Sequence, residues 1–274
     1  MNRRRKPTAS IVSMGRIDRI FADLRSSNRK ALMPFVVAGD PSLETLVPTL
    51  KSLQSAGASV VEIGIPFSDP IADGPVISQA MHRALVRGVT PKTILQAIKS
   101  ARSELTIGLV AMVSESLVHR GGGPAFIEQL SDAGFDGIII PDVDLEVVSP
   151  LAEAASKRAM SFTMLVAPTS SSERIARLVR FSTGFVYLLA REGLTGERHD
   201  APDVKALVAR VRAHTQLPLA VGFGISTAAQ VKAVLQYADA AIVGSSLVRR
   251  LAEGDATLAA VRAGEFATSL LTAK

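Results

Sequence analysis

Val60-Val61-Glu62-Ile63-Gly64-Ile65 is an apolar run of strand length interrupted by one acid. Side chains on a strand alternate between its two faces. Val61, Ile63 and Ile65 therefore share one face, and Glu62 shares the other with Val60 and Gly64. The run leads into Pro66-Phe67-Ser68-Asp69-Pro70-Ile71-Ala72-Asp73-Gly74-Pro75 and then into an amphipathic stretch, Val76–Arg87. This strand–loop–helix unit recurs in both directions along the chain. Further strand candidates are Leu32–Ala38, Ile107–Val113, Gly137–Pro141, Ser161–Val166, Phe185–Ala190, Pro218–Gly222 and Ala240–Gly244. Between them lie helical patterns at Leu43–Ala56, Pro91–Arg102, Pro124–Ala133, Glu146–Arg158, Ser172–Arg180, Asp203–Ala213 and Thr227–Gln236. No two strand candidates adjoin as a hairpin. Eight βα units in 274 residues predict an α/β fold, a single (β/α)8 TIM barrel, rather than an open doubly wound sheet. Arg16–Ser26 adds an N-terminal helix expected to cap the barrel floor. The barrel domain is expected over residues 16–274, preceded by a flexible basic extension, residues 1–15.

Composition narrows the function. With no Cys, the chain holds no disulfide, thiolate metal site, iron–sulfur cluster or thiol nucleophile. The apolar fraction of 47% excludes a disordered chain, and no apolar run is long enough to span a membrane. The net charge is +6, but Arg3, Arg4, Arg5 and Lys6 carry four of those charges, so the folded body is nearly neutral. Aromatic residues make up 4% and Trp is absent, which argues against a nucleic-acid surface.

In a (β/α)8 barrel, chemistry sits in the loops that follow the strands. Alternation directs Glu62 into the lumen, where an ionised carboxylate is costly unless paired or hydrogen-bonded. Raised proton affinity relieves that cost and makes a Glu a general acid/base near neutral pH. The alternative is a structural Glu tied to backbone amides or to a lumen Arg, but no Lys or Arg lies within the strand cores. Pro66, Pro70 and Pro75 stiffen the next loop, so Asp69 and Asp73 are held in place. Asp in such a loop serves equally as a turn former or helix cap, and the residues alone leave Asp73 undecided.

Small-residue clusters follow the last strands: Gly193-Leu194-Thr195-Gly196, Gly222-Phe223-Gly224-Ile225-Ser226 and Gly244-Ser245-Ser246. The last two precede helical patterns, where free amides and the helix dipole favour an anion. A phosphate site at the ends of strands seven and eight is expected. No Lys stands at a strand end to form a Schiff base, and His82, His119, His199 and His214 are too scattered for a metal site. No metal is expected. Carboxylate acid/base chemistry remains, and it cleaves a carbon–carbon bond only if the substrate supplies its own electron sink.

Several stretches carry a family likeness: Pro34-Phe35-Val36-Val37-Ala38-Gly39-Asp40-Pro41, Glu62 through Pro75, Ala167-Pro168-Thr169, Phe185-Val186-Tyr187-Leu188, Gly193 through Gly196, and Gly222 through Ser226. From about Arg16 to Leu251 the chain resembles the tryptophan synthase α chain family. The resemblance implies retro-aldol cleavage of indole-3-glycerol phosphate to indole and glyceraldehyde 3-phosphate, with the indole ring as electron sink. It implies Glu62 as the general acid/base and Asp73 as the carboxylate that meets the indole N–H. Phe35, Ile139, Leu165, Tyr187 and Phe223 would line the pocket, and Thr195 would lie on a closing loop. Gly196, Gly224, Gly244 and Ser245 would hold the phosphate. The resemblance also implies a cytoplasmic enzyme without a cofactor of its own. Its expected partner is a β chain holding pyridoxal phosphate, in an α2β2 tetramer.

Two loops depart from the family pattern. Met112-Val113-Ser114-Glu115-Ser116 lacks the usual Tyr and Asn after strand three, and Pro141-Asp142-Val143-Asp144 lacks the second Pro after strand four. Both face the β chain in the family. Two other functions therefore stay open: a stand-alone lyase that releases free indole, and a non-catalytic barrel that binds ligand and regulates a partner.

Overall fold

The computed structural model describes residues 14–70, 73–190, 204–222 and 224–272. Nine parallel strands form one sheet in the order β5-β4-β3-β2-β1-β9-β8-β7-β6. They are β1 (Ala31–Val37), β2 (Val60–Gly64), β3 (Gly108–Met112), β4 (Gly137–Ile139), β5 (Ser161–Thr163), β6 (Leu165–Val166), β7 (Val186–Leu189), β8 (Leu219–Gly222) and β9 (Ala240–Val243). The two ends of the order, β5 and β6, are consecutive in sequence, so the sheet comes round on itself as a barrel. The expected fifth strand, Ser161–Val166, is thus split at Met164. Its amide donates to the Ser182 hydroxyl at 3.3 Å, and its carbonyl accepts from the Tyr187 amide at 3.1 Å. Pairing passes from β4 to β7 at that residue. The eight expected strands are all present.

Twelve helices surround the sheet among the described residues: α1 (Arg16–Ser26), α2 (Leu46–Ser55), α3 (Pro75–Val86), α4 (Pro91–Ala101), α5 (Glu115–Arg120), α6 (Pro124–Ala133), α7 (Val148–Lys157), α8 (Ser172–Phe181), α9 (Lys205–Arg212), α10 (Ala228–Leu235), α11 (Ser245–Ala252) and α12 (Ala259–Thr272). Helices α5 and α12 add to the expected set. The core has two layers. Leu32, Val36, Val61, Ile63 and Ile65 face the helix ring, whereas Ala31, Met33, Val60, Val110, Ile139 and Tyr187 pack together inside the barrel. This is the alternation expected of β2.

Helix α1 closes the floor. Ile17, Phe21 and Leu24 pack into the lumen cluster, and a Cβ on Gly108 would lie 2.5 Å from the Ile17 Cδ1. Gly15 is already the N-cap of α1, so the expected extension ends before it; residues 1–13 lie outside the described residues. Two related clamps tie the floor. Asp136 accepts from the Leu109 amide and pairs with Arg102 and Arg16. Asp239 accepts from the Leu219 amide and pairs with Arg212 and Lys30. Each Asp immediately precedes a strand, on opposite halves of the barrel.

Candidate active site

Glu62 is wholly buried in β2, at the register of Phe35 in β1 and Val110 in β3. Among the described residues neither of its carboxylate oxygens has a hydrogen-bond partner. Loss of solvent alone therefore pushes its proton affinity well above the ordinary carboxylate range. The structural alternative, a carboxylate tied to amides or an Arg, is not what the described residues provide.

Asp73 stands one residue before Gly74, the N-cap of α3, so it is not the cap of that helix. Its amide donates to the Pro70 carbonyl at 3.0 Å, while its carboxylate accepts no hydrogen bond among the described residues. Partial burial raises its pKa to about 6. Tyr187 ties the two acids to one space. Burial, and then the negative charges of Glu62 and Asp73, push its phenol well above its ordinary value. Tyr187 is therefore a neutral hydroxyl beside both.

Of the other expected pocket residues, Phe35, Ile139, Leu165 and Tyr187 lie on the lumen side. Phe35 is buried with Val37, Ile77, Ala80, Met81 and Val248 at the barrel mouth, and Ile139 and Tyr187 belong to the deeper lumen cluster that Leu165 packs against. Close backbone approach makes room for the rings. A Cβ on Gly64 would come within 2.6 Å of the Phe35 Cζ, and one on Gly222 within 2.2 Å of the Tyr187 hydroxyl. Val110 and Met112 also line this space and were not singled out from sequence. Alternation along β3 was the signal for both. Thr195, Gly196 and Phe223 lie outside the described residues.

At the ends of β8 and β9 two helices start differently. The start of α10 has side-chain caps: Gln230 accepts from the Ser226 and Thr227 amides at 2.8 and 3.1 Å, and the Thr227 hydroxyl accepts from the Gln230 amide at 3.3 Å. In α11 the N-cap is Gly244, which has no side chain to accept the first amides. Ser245 and Ser246 follow it, both buried, and the Ser246 hydroxyl has no partner among the described residues. Gly224, at φ +78°, turns the neighbouring chain in a conformation that favours glycine. This gives an uncapped helix start beside a glycine turn, suited to a dianion. Neighbouring strands thus carry Gly224 and the Gly244–Ser245 pair to the same side of the mouth.

The sequence profile of the tryptophan synthase alpha chain family matches residues 21–270. The chain belongs to that family. The tryptophan synthase alpha chain of Synechococcus sp. (strain CC9902) is 42% identical over 252 residues, covering 91% of this chain and 94% of the relative. That of Trichormus variabilis is 44% identical over 256 residues, covering 92% and 96%. Among solved structures, Mycobacterium tuberculosis tryptophan synthase matches with a TM-score of 0.86 at 34% identity, covering 94% of this chain and 97% of that one. Tryptophan synthase subunit alpha from Legionella pneumophila matches with a TM-score of 0.86 at 31% identity, with the same coverage. The family's enzymes are lyases of tryptophan biosynthesis that cleave indole-3-glycerol phosphate, and this member is such a lyase.

Proposed function

We propose that Glu62 and Asp73 divide the acid–base work of the family's retro-aldol reaction. The carrying observation is Glu62: a wholly buried carboxyl in the lumen whose two oxygens have no partner among the described residues. Burial shifts such a group toward its protonated form, and a protonated acid is what the first step needs. Glu62 gives its proton to the indole carbon that bears the side chain, leaving positive charge on the ring nitrogen. Asp73, ionised above about pH 6, accepts the indole N–H and stabilises that charge. The carbon–carbon bond then breaks as the adjacent side-chain hydroxyl becomes an aldehyde. The bonding electrons return to the ring, and the hydroxyl proton passes to Glu62, restoring it. Indole and glyceraldehyde 3-phosphate leave with no external acid, base or oxidant consumed.

Phe35, Ile139, Leu165 and Tyr187, with Phe223, form the walls around the ring. Gly224, Gly244 and Ser245, with Gly196, hold the phosphate, and Thr195 lies on the loop that closes over the bound substrate to exclude water. This chain's own step uses no cofactor. Pyridoxal phosphate belongs to the β chain, with which this chain forms an α2β2 tetramer in the cytoplasm. The support for that partnership is family membership. The β-facing loops also keep an ordered form, because Asp142 after β4 accepts the Glu115 amide at 2.8 Å and starts helix α5. The departures at Ser114 and Asp144 favour a second reading, release of free indole without a partner. Indole release measured while a β chain is titrated in separates the two. Stimulation of tenfold or more (about 1.4 kcal/mol) is expected, and a rate indifferent to the β chain supports the stand-alone lyase.

A further inference from the structure

The best-defined ion pair near the mouth has no part in the chemistry above. Asp40 lies in the Gly39-Asp40-Pro41 turn that follows β1, with its side chain 1% exposed. It accepts two parallel hydrogen bonds from Arg83 of α3, from Nε at 2.8 Å and from Nη2 at 2.7 Å, with Arg87 Nη1 at 3.6 Å. Val89 packs against the turn. Gly39 has φ +89°, and a Cβ there would lie 2.5 Å from the Val89 Cγ2. The far half of α3 is therefore bolted to the end of β1.

Asp73 stands just before the N-cap at the near end of α3, roughly 15 Å from Arg83 at ~1.5 Å per residue. Nothing among the described residues orients the Asp73 carboxylate by hydrogen bonding. Its place follows from where α3 sits. Ile77, Ala80 and Met81 hold the middle of that helix against Phe35, Val37 and Val248. Those contacts set which face of α3 is buried, but being non-directional they define the axial position of the helix less sharply than an oriented bond does. A forked guanidinium–carboxylate pair is directional. A buried ion pair is also weak as a source of net stability, because desolvation offsets most of its attraction. Orientation is the role left to it.

We propose that Asp40 and Arg83 are positioning residues, which set the seat of α3 and through it the place of Asp73 over the substrate ring. The proposal rests on the reading of Asp73 as the carboxylate that meets the indole. The test is a double-mutant cycle on the full chain, with Asp40→Asn, Asp73→Asn and the double variant. The probe is the phosphate ester of 3-(indol-3-yl)propan-1-ol, which has ring and anion but no hydroxyl to cleave. Glycerol 3-phosphate serves as an anion-only control. Asp40→Asn is expected to weaken the indolyl ester about tenfold when Asp73 is present and less than about twofold when it is Asn, as coupled residues do. Glycerol 3-phosphate affinity should change less than about twofold throughout. Equal losses in both backgrounds, or no loss in either, overturn the proposal. Should Asp40→Asn fail to accumulate folded protein, Arg83→Lys completes the same cycle, since it keeps the charge and loses the fork. If the wild-type chain does not bind the indolyl ester, the reading of the site fails; if it binds and the coupling is absent, the positioning role alone fails.

Discussion

Glu62 and Asp73 are both carboxylic acids near one apolar lumen, yet their surroundings separate them. Glu62 has lost all its solvent, whereas Asp73 stands at the edge with a pKa of about 6. The reaction needs the first protonated and the second ionised. Activity therefore falls on the acid side as Asp73 takes up a proton, and on the alkaline side as Glu62 loses one. A profile of kcat/KM against pH should show an acid limb near 6. A limb near 4, the ordinary carboxylate range, would show that Asp73 is not the group titrating. Gly244 offers a separate check. A Cβ there meets nothing closer than Phe35 at 3.7 Å, so the protein itself has room for Ala. Gly244→Ala should keep its melting temperature but raise KM about tenfold by crowding the phosphate. A KM unchanged in a folded variant would remove Gly244 from the cradle. The lumen position of Glu62 was legible in sequence because a strand has period two and only one residue of that run is polar. The Asp40–Arg83 pair was not legible, since it joins residues 43 apart that no local pattern links.

Elements show the same division between local and long-range causes. Helix α3 was anticipated within a residue because Pro75 starts it and its apolar spacing is regular. Helix α5 was missed. Its Ser114 N-cap makes no side-chain cap, and the acceptor for its first amide comes from Asp142 after the next strand. The break in strand five at Met164 was equally invisible, because it depends on which neighbour each half pairs with. Floor elements carry stability rather than catalysis. Arg102 is largely buried and faces Asp136, which also holds Arg16 and the Leu109 amide. Asp136→Ala should destabilise the chain by about 3 kcal/mol, the cost of leaving such a cation unpaired. Urea unfolding measures this, and kcat per folded molecule should hardly change. A loss below about 0.5 kcal/mol would place the clamp among surface pairs of little consequence.

At the scale of the whole molecule, α1 plugs one end of the barrel, and the candidate site residues Asp73, Gly224, Gly244 and Ser245 gather at the other. Within the largely apolar lumen stand Glu62, Ser161, Thr163 and the Tyr187 phenol, and the side-chain oxygens of the first three have no partner among the described residues. That arrangement has a thermodynamic signature. The raised proton affinity of Glu62 means that the folded chain binds more protons than the unfolded one once the pH passes about 4.5. The benefit of the protonated form is complete below that value and is lost as the pH climbs. Glu62→Gln escapes the loss, and its melting temperature should exceed that of the wild type increasingly toward pH 8. The most direct trial of the account uses the same variant, supplied with indole-3-glycerol phosphate and followed for indole release. Glu62→Gln should bind the substrate within about threefold of wild type while its turnover falls at least about a hundredfold. Turnover near the wild-type rate in a folded Glu62→Gln chain would contradict the assignment of Glu62 as the proton donor.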